Sequence, residues 1–228
     1  MKKSLIATIL IGVIAVIGIA ESKETERLQN CAKVMQEVMD VPDQAIPAPL
    51  LNKCTCVAII PSMKKAGFVV GGRFGKGAVV CRQNNGKGPW GPPAMITLSG
   101  GSFGLQIGGA AIDVIMLIMN PDGIDYLLKD KFTIGGDASA AAGPVGRAGT
   151  AETDAALTAK ILTYSRSKGL FAGLELKGAV VKPDQEGNEA LYQKKVDVRG
   201  LILEGKEPVP NSAKPLITVL TKYSARKS

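Results

Sequence analysis

The chain has 228 residues, of which 46% are hydrophobic and 21% charged, a composition that supports a sizeable packed core with an ordinary surface charge. Its formal net charge of +8 favours anionic surfaces, whereas an aromatic content of 4% provides few rings for stacking on bases, so we expect no nucleic-acid partner. Histidine is absent, which excludes Ser-His-Asp and Cys-His catalysis and removes the commonest zinc ligand.

Residues 1–20 have the pattern of a secretory signal peptide. Two lysines precede an apolar run from Leu5 to Ala20, and small residues occupy the third-last and last positions before Glu21. We expect the leader to be cleaved before Glu21 and the protein to be exported to a periplasm or the extracellular space. An uncleaved N-terminal membrane anchor is the alternative.

The first element after the leader is predicted to be an amphipathic helix over Thr25–Met39. Its apolar residues recur at spacings of three and four, and its other face mixes acidic and basic side chains. We expect this helix to cap a sheet, with a membrane-surface helix as the alternative. Three prolines follow it and lead into a short helical turn over Leu50–Lys53.

Three strand candidates follow in close succession: Cys56–Pro61, Gly67–Phe74 and Gly77–Arg82. Turns at Ser62–Ala66 and Gly75-Lys76 would make consecutive antiparallel pairing the simplest topology. The glycines near the second turn favour a hairpin over a phosphate-binding loop, because neither a G-K-[ST] motif nor a helix signal follows them.

After a polar loop at Asn84–Gly91, the stretch Ile96–Met119 is apolar except for five interspersed glycines, a few small polar residues and the single charge of Asp113. Interior glycines indicate bends, bulges or close approach of another backbone. The run after Asp113 shows no alternation, which is typical of a strand covered on both faces. We expect the central strands of a sheet here. A transmembrane helix is the alternative, although a span needs roughly 20 largely uncharged residues.

The second half of the chain continues to alternate between strands and helices. Its predicted elements are a helix from Asn120 to Lys129, strands within Phe132–Gly146, Leu157–Tyr164 and Leu170–Val181, a short helix at Asn188–Lys194, and an amphipathic helix at Ser212–Tyr223. No internal repeat or long linker is present. The expected fold is therefore α+β: one domain over residues 21–228, with a curved, glycine-rich, mostly antiparallel sheet or partial barrel and flanking amphipathic helices.

Four cysteines, Cys31, Cys54, Cys56 and Cys81, follow the leader. An even number in an exported protein permits two disulfides with three possible connectivities. We expect at least one, and a bond from Cys31 to the Cys54/Cys56 segment is a candidate. Their spacing matches no standard zinc finger, and we expect no metal or other cofactor.

Ser165 and Lys168 form a Ser-x-x-Lys pattern, the nucleophile motif of penicillin-recognising enzymes. In those enzymes the serine begins a helix and is supported by Ser-Asp-Asn and Lys-Thr-Gly elements. Strand patterns flank the motif here, and neither supporting element occurs in the sequence. A serine hydrolase is thus the least favoured hypothesis, and we expect a protein that is not an enzyme.

Several short motifs together resemble the SYLF domain family. They are Gly67-Phe68, Gly75-Lys76-Gly77, Trp90-Gly91-Pro92-Pro93, the GLQIG segment at 104–108, the GPVGR segment at 143–147 and the YSRSKGLFAG block at 164–173. The resemblance spans roughly residues 32–195. It implies a non-enzymatic, membrane-associating, β-rich domain like the exported bacterial lipid-binding SYLF proteins. Eukaryotic members of that family bind phosphoinositides, and a yeast branch also binds actin.

The predicted membrane contact combines basic turns with an apolar helix face. The basic candidates, worth around 1 kcal/mol each at an anionic surface, are Lys64, Lys65, Arg73 and Lys76. The apolar candidates on the first helix are Leu28, Met35 and Met39. We expect the partner to be an anionic phospholipid or membrane surface. The alternative is a structural or protein-interaction module of the cell envelope with no lipid ligand.

Overall fold

The computed structural model describes residues 22–43, 45–67, 70–103, 108–120, 126, 129, 131–146, 159–167, 170–173 and 176–224. Within them an open, mostly antiparallel sheet of nine strands is packed by several helices, which confirms the expected α+β class. The predicted leader lies outside the described residues. None of the helices in the described part of the chain is long and apolar enough to span a bilayer.

The strands are β1 (Cys56–Gly67), β2 (Val70–Arg82), β3 (Trp90–Phe103), β4 (Gly108–Ile118), β5 (Phe132–Thr133), β6 (Ala140–Ala142), β7 (Ile161–Ser167), β8 (Leu170–Gly173) and β9 (Val180–Pro183). Their order across the sheet is β5-β9-β3-β2-β1-β4-β7-β6, and β8 pairs with β7 outside this path. Only β6 and β7 run parallel among these pairs. The β1–β2 hairpin, flanked by β3 on one side and β4 on the other, therefore forms the centre of the sheet.

The helices in the described residues are α1 (Lys23–Met39), α2 (Ala48–Lys53), α3 (Gln83–Gly86), α4 (Gln185–Tyr192) and α5 (Lys214–Tyr223), with a π-helix at Gly200–Glu204 and a 3₁₀-helix at Asn211–Ala213. The side chain of Ser22 caps α1 by accepting the Thr25 N–H at 3.2 Å. Four predicted helices are confirmed as α1, α2, α4 and α5. The one predicted from Asn120 lies largely outside the described residues.

Both faces of the central sheet are buried where β4 carries the apolar run after Asp113, as that run predicted. The face covered by α1, α2 and α5, called the helix face here, presents Val57, Ile59, Ala78, Val80, Ile115 and Leu117. The opposite face presents Cys56, Ala58, Ile60, Val79, Val114 and Met116, and packs against later segments such as β5, β9 and the π-helix. Within the stretch Ile96–Met119, residues 96–103 belong to β3 and residues 108–118 to β4, so the prediction of strands is confirmed and the transmembrane-helix alternative is wrong.

The two predicted turns at Ser62–Ala66 and Gly75-Lys76 do not form, because β1 and β2 run through them without a break. Ser62 adopts a left-handed φ of 48°, and the register shifts around it, so the chain bulges and continues. A Cβ at Gly77 would collide with the carbonyl of Ile59 on β1. The glycines in β2 thus permit close strand contact rather than a reversal of the chain.

Other boundaries also differ from the predictions. α3 overlaps the start of the polar loop predicted at Asn84–Gly91, and Trp90 starts β3 with its indole N–H donating to Ser224 Oγ at 3.1 Å. Each of the two glycine-rich strand predictions, within Phe132–Gly146 and Leu170–Val181, contains two short strands instead of one. Small residues do not define a strand length, because they carry little packing information of their own.

One disulfide is present, between Cys56 and Cys81, which are opposed residues of β1 and β2 with Cα atoms 4.0 Å apart. The expectation of at least one disulfide is confirmed, whereas the candidate bond from Cys31 is wrong. Cys31 lies on the helix-face side of the sheet, and the Cys56 side chain lies on the opposite side. Burial raises the pKa of the Cys31 thiol to about 12.

Candidate functional site

The three apolar residues predicted to contact a membrane lie on the docked face of α1. Leu28 and Met35 are completely buried against the helix face of the sheet. Met39, in the last turn, is partly buried against the same cluster. In this conformation α1 caps the sheet, and its apolar face is covered.

The four predicted basic residues lie in strands rather than at turns, and they divide between the two sides of the sheet. Lys64 is paired with Phe74, while Lys65 is paired with Arg73. Because side chains alternate along a strand, Lys64, Phe74 and Lys76 share the helix face, and the other two basic residues point to the opposite side. The structure therefore does not bring the four cations together on one surface.

Arg73 is engaged on that opposite side. Its Nη2 donates to the carbonyl of Lys177 at 3.0 Å, and burial lowers the pKa of its guanidinium. Arg73 thus helps to attach the segment before β9 to the sheet, and its side chain is not freely available to a ligand.

The helix face is open to solvent beyond the part that α1 covers. We call this area the uncovered strip; its residues, from β1 to β4, are Lys64, Ala66, Gly72, Phe74, Gly101 and Ala111. Phe74 is 49% exposed, an unusual position for a large aromatic side chain. Ladder pairing places Phe74 beside Lys64 and places Gly72 beside Gly101. The strip therefore combines a flat backbone surface with one ring and one ammonium group.

Packing does not require glycine at two positions of the uncovered strip. A Cβ at Gly72 or Gly101 would meet nothing within 4 Å, and neither residue has a positive φ. At Gly77, by contrast, a side chain cannot fit. The absence of side chains at Gly72 and Gly101 leaves the strip accessible to close approach from outside.

An ion-pair network links the C-terminal part of α1 to the sheet. Arg166 on β7 binds Asp113 Oδ2 on β4 through Nε at 3.0 Å and Nη2 at 2.8 Å, and its Nη1 pairs with Glu37 of α1. Asp113 Oδ1 accepts the N–H of Ser62 at 2.9 Å, which stabilises the bulge in β1. Burial acts to lower the pKa of Arg166, but its hydrogen bonds and charge interactions with Asp113 and Glu37 outweigh it and raise the pKa.

A second ion-pair network lies near the N-terminal end of α1. Asp184 Oδ2 accepts from Arg27 Nη1 and from Lys76 Nζ, each at 2.9 Å, and its side chain also caps α4 at Gly187. Burial alone would raise the pKa of Asp184, but hydrogen bonds and charge interactions with Lys76 and Arg27 hold it below its ordinary value. Asp184 is therefore ionised at neutral pH and joins α1, β2 and the start of α4.

An open cavity of about 210 Å³ lies between the N-terminal half of α1 and the β1 bulge. Its lining includes the cations Lys23, Arg27 and Lys76 together with Glu26. Because Asp184 already pairs with two of these cations, the charge around the cavity is nearly balanced. The cavity alone therefore does not define an anion site.

Two aromatic residues of the YSRSKGLFAG block, Tyr164 and Phe171, pack in the core. Tyr164 is fully buried and stacks on Phe171 with ring centroids 5.3 Å apart, and a Cβ at Gly143 would collide with the Tyr164 ring. Ser165 lies within β7, not at a helix start, and Lys168 lies outside the described residues. Among the described residues no cluster of His, Cys, Asp or Glu could hold a metal ion.

Sequence reasoning missed both ion-pair networks and the exposed Phe74. Asp113 could have indicated the first network, because a lone carboxylate in an apolar strand requires a partner that is itself buried or partly buried. The sequence offered no comparable signal for Asp184, whose cations come from two distant elements.

Comparison with known proteins agrees with this architecture. Residues 99–223 match the family model Ysc84, described as "Las17-binding protein actin regulator". Protein YSC84 of Saccharomyces cerevisiae is 33% identical over 181 residues, which are 78% of this chain and 38% of that protein. SH3 domain-containing YSC84-like protein 1 of Homo sapiens is 33% identical over 207 residues, covering 87% of this chain and 58% of that protein.

LAS seventeen-binding protein 3 of Saccharomyces cerevisiae is also 33% identical, over 78% of this chain and 39% of its own length. The chain thus spans 38% to 58% of the length of these three relatives. The family description names a binding protein and regulator, and the name of the third relative describes a binding protein, so neither describes an enzyme. The chain belongs to the Ysc84 family, the SYLF domain family that its motifs resemble.

Proposed function

We propose that this protein is an exported, non-enzymatic domain that binds anionic phospholipid surfaces through the uncovered strip. The observation that carries the proposal is the exposure of Phe74 beside Lys64 on an otherwise flat surface of small residues. An exposed aromatic ring next to a cation suits the interface of a membrane, where the ring enters the headgroup region and the cation pairs with phosphate. Without Lys2 and Lys3 of the leader, the net charge of +8 becomes +6, which favours the same partner.

The expected affinity is modest. Lys64 contributes around 1 kcal/mol at an anionic surface, and burial of the Phe74 ring contributes about 2 kcal/mol, whereas Lys76 is already paired with Asp184. A total of about 3 kcal/mol corresponds to a Kd of about 6 mM for one domain. Binding should therefore be reversible and sensitive to salt.

Sedimentation with vesicles tests the proposal directly. The protein is mixed with vesicles of phosphatidylcholine alone or of phosphatidylcholine with phosphatidylglycerol, at low and at physiological salt. We expect binding only to the anionic vesicles, weakened about fivefold by Lys64→Gln and about 30-fold by Phe74→Ser. Leu170→Ser is the matched control, because Leu170 is 70% exposed outside the strip. Absence of wild-type binding at low salt would contradict the proposal.

Export is the second part of the proposal. The leader pattern of residues 1–20 supports it, and the Cys56–Cys81 disulfide suits an oxidising compartment. The intact mass of protein isolated from its native cells should correspond to a chain that starts at Glu21. A mass that includes residues 1–20 would favour the membrane-anchor alternative.

The names of the yeast relatives favour a second candidate function, recognition of a protein partner. The uncovered strip would then be a protein interface of the cell envelope. A photoreactive amino acid at position 74, activated in native cells, distinguishes the two candidates. Crosslinks to lipid support the first proposal, whereas a discrete protein adduct supports the second.

A further inference from the structure

The open cavity beside α1 presents polar groups that neither ion-pair network uses. Lys23 and Glu26 line it, are exposed, and take part in none of the ion pairs that join described residues. Asn30 is exposed in the same lining. Side chains of both charge signs therefore face this cavity and are accessible to a ligand.

Spacing along α1 sorts these groups by their chemistry. Lys23 and Arg27 are four residues apart and provide cationic donors. Glu26 and Asn30 are also four residues apart and provide oxygen acceptors. Residues three or four apart on a helix have Cβ atoms about 5–6 Å from each other, so the two pairs lie side by side. The α1 wall of the cavity thus has a cationic half next to an acceptor half.

The cationic half retains donors for a ligand. Asp184 accepts one hydrogen bond from Arg27 Nη1 and one from Lys76 Nζ. A guanidinium has five N–H donors and an ammonium has three, so both side chains can bind a second carboxylate. Because Asp184 already offsets part of the positive charge, a singly charged carboxylate suits the site better than a phosphate monoester, which carries a charge of about −1.5 to −2.

The wall formed by the β1 bulge is held in place. Ser62 lines the cavity with a left-handed φ of 48°, which is uncommon for a residue other than glycine. Its N–H is bound by Asp113, which is fixed in turn by two hydrogen bonds from Arg166. Backbone strain of this kind is concentrated at functional sites such as ligand clamps. The bulge therefore gives the cavity a fixed shape before any ligand arrives.

Size and lining restrict the class of ligand. The cavity measures about 210 Å³, below the roughly 300–1,000 Å³ of clefts that hold drug-sized molecules. None of its described lining residues is aromatic, so it offers no ring for stacking on a sugar or a base. A small molecule with two opposite charges close together matches these features.

We propose that this cavity binds a small free α-amino acid. Lys23, Arg27 and Lys76 bind its carboxylate, and Glu26 and Asn30 accept hydrogen bonds from its ammonium group. The cavity shares no residue with the uncovered strip, so this inference does not depend on the proposed binding to lipid. Each charge of the ligand has its own partners, and a molecule that lacks either charge loses half of the contacts.

Titration without lipid, followed by NMR chemical shifts of the backbone amides, tests the inference. L-Serine is the probe. L-Glycerate replaces its ammonium group by a hydroxyl group, and ethanolamine lacks its carboxylate. We expect L-serine to bind in the millimolar range with shifts in α1 and the β1 bulge, and both analogues to bind at least about tenfold more weakly.

Two variants and two matched controls locate the site. Lys23→Gln and Glu26→Gln should each weaken the binding of L-serine about fivefold. Glu26→Gln should also strengthen the binding of L-glycerate about fivefold, because it removes a carboxylate that repels this anion. A purely structural effect would not change the preference between two ligands. The controls Lys33→Gln and Glu189→Gln remove the same charges at exposed positions outside the described lining, and should change neither affinity.

Four outcomes would overturn the inference. The first is no binding of L-serine up to about 20 mM, which would leave the proposed lipid binding intact, since that is measured separately with vesicles. The second is equal binding of L-serine, L-glycerate and ethanolamine, which would show unselective ion binding. The third is equal binding of L-serine by variants and controls. The fourth is tighter binding of ethanolamine phosphate than of L-serine, which would exclude a carboxylate as the preferred anion.

Discussion

Replacement of Arg166 by glutamine should destabilise the protein strongly, because it removes the only cation that the structure places on Asp113 among the described residues. Asp113 is 14% exposed and Arg166 is 23% exposed, so water compensates little for the loss. Two charge-assisted hydrogen bonds to Asp113 and the pair with Glu37 disappear together. Removal of an ionic partner that is buried to this extent lowers the free energy of unfolding by about 3 kcal/mol.

Thermal and urea unfolding followed by circular dichroism measure that cost. For a domain of this size, about 3 kcal/mol corresponds to a fall in Tm of about 6–12 °C. Lys33→Gln is the control, because Lys33 is 72% exposed and lies 4.0 Å from the same Glu37, so its loss should cost less than about 0.5 kcal/mol. A loss below about 1 kcal/mol for Arg166→Gln would refute the reasoning.

A double-mutant cycle with Asp113→Asn separates the ion pair from the rest of the network. If Arg166 and Asp113 stabilise each other as the distances indicate, the double variant should be more stable than the sum of the two single losses predicts. Strict additivity would show that the destabilisation arises elsewhere, for example from lost packing of the arginine side chain on α1.

Three further predictions concern other parts of the fold. Replacement of both Cys56 and Cys81 by serine should cost about 3.5 kcal/mol in urea unfolding, the value for a loop of this length, and a loss below about 1 kcal/mol would contradict it. Gly77→Ala should destabilise by about 1–3 kcal/mol, because its Cβ collides with the backbone of β1, whereas the control Gly72→Ala should change stability by less than about 1 kcal/mol. Asp184 has a lowered pKa when folded, so it contributes stability above its unfolded pKa, and this contribution is lost as pH falls through the folded pKa. The destabilisation by Asp184→Asn at pH 7 should therefore vanish in acid, and a loss independent of pH would show that its cause is not charge.

The amphipathic helices could be predicted from sequence because their periodicity is local. Spacings of three and four indicated α1 and α5, and the structure differs from the predicted ends by no more than two residues. The continuity of β1 and β2 could not be predicted in the same way. Gly75 and Gly77 have the composition of a turn, but their function depends on the β1 backbone that lies against them.

The pairing of the disulfide could not be predicted from a local sequence pattern either. The count of cysteines indicated at least one bond, but the partner of Cys56 depends on which side of the sheet each residue faces. Cys31 belongs to the helix-face core and Cys56 to the core on the other side. That assignment is a property of the assembled sheet, and no local pattern in the sequence contains it.

The positions of the family motif residues show what these residues do in the fold. Tyr164, Phe171 and Gly143 pack in the core, and Arg166 joins two strands to α1. Membership of the Ysc84 family therefore implies a shared fold.

The residues that would contact a partner lie elsewhere. Lys64 and Phe74 precede residues 99–223, the stretch that matches the family model. The motif side chains of Tyr164, Arg166 and Phe171 are engaged in packing and ion pairs, so they do not carry a ligand of the relatives over to this chain. Under the proposed function, the choice of partner depends on the exposed side chains of the uncovered strip, and a single substitution such as Phe74→Ser changes them while leaving the motif intact.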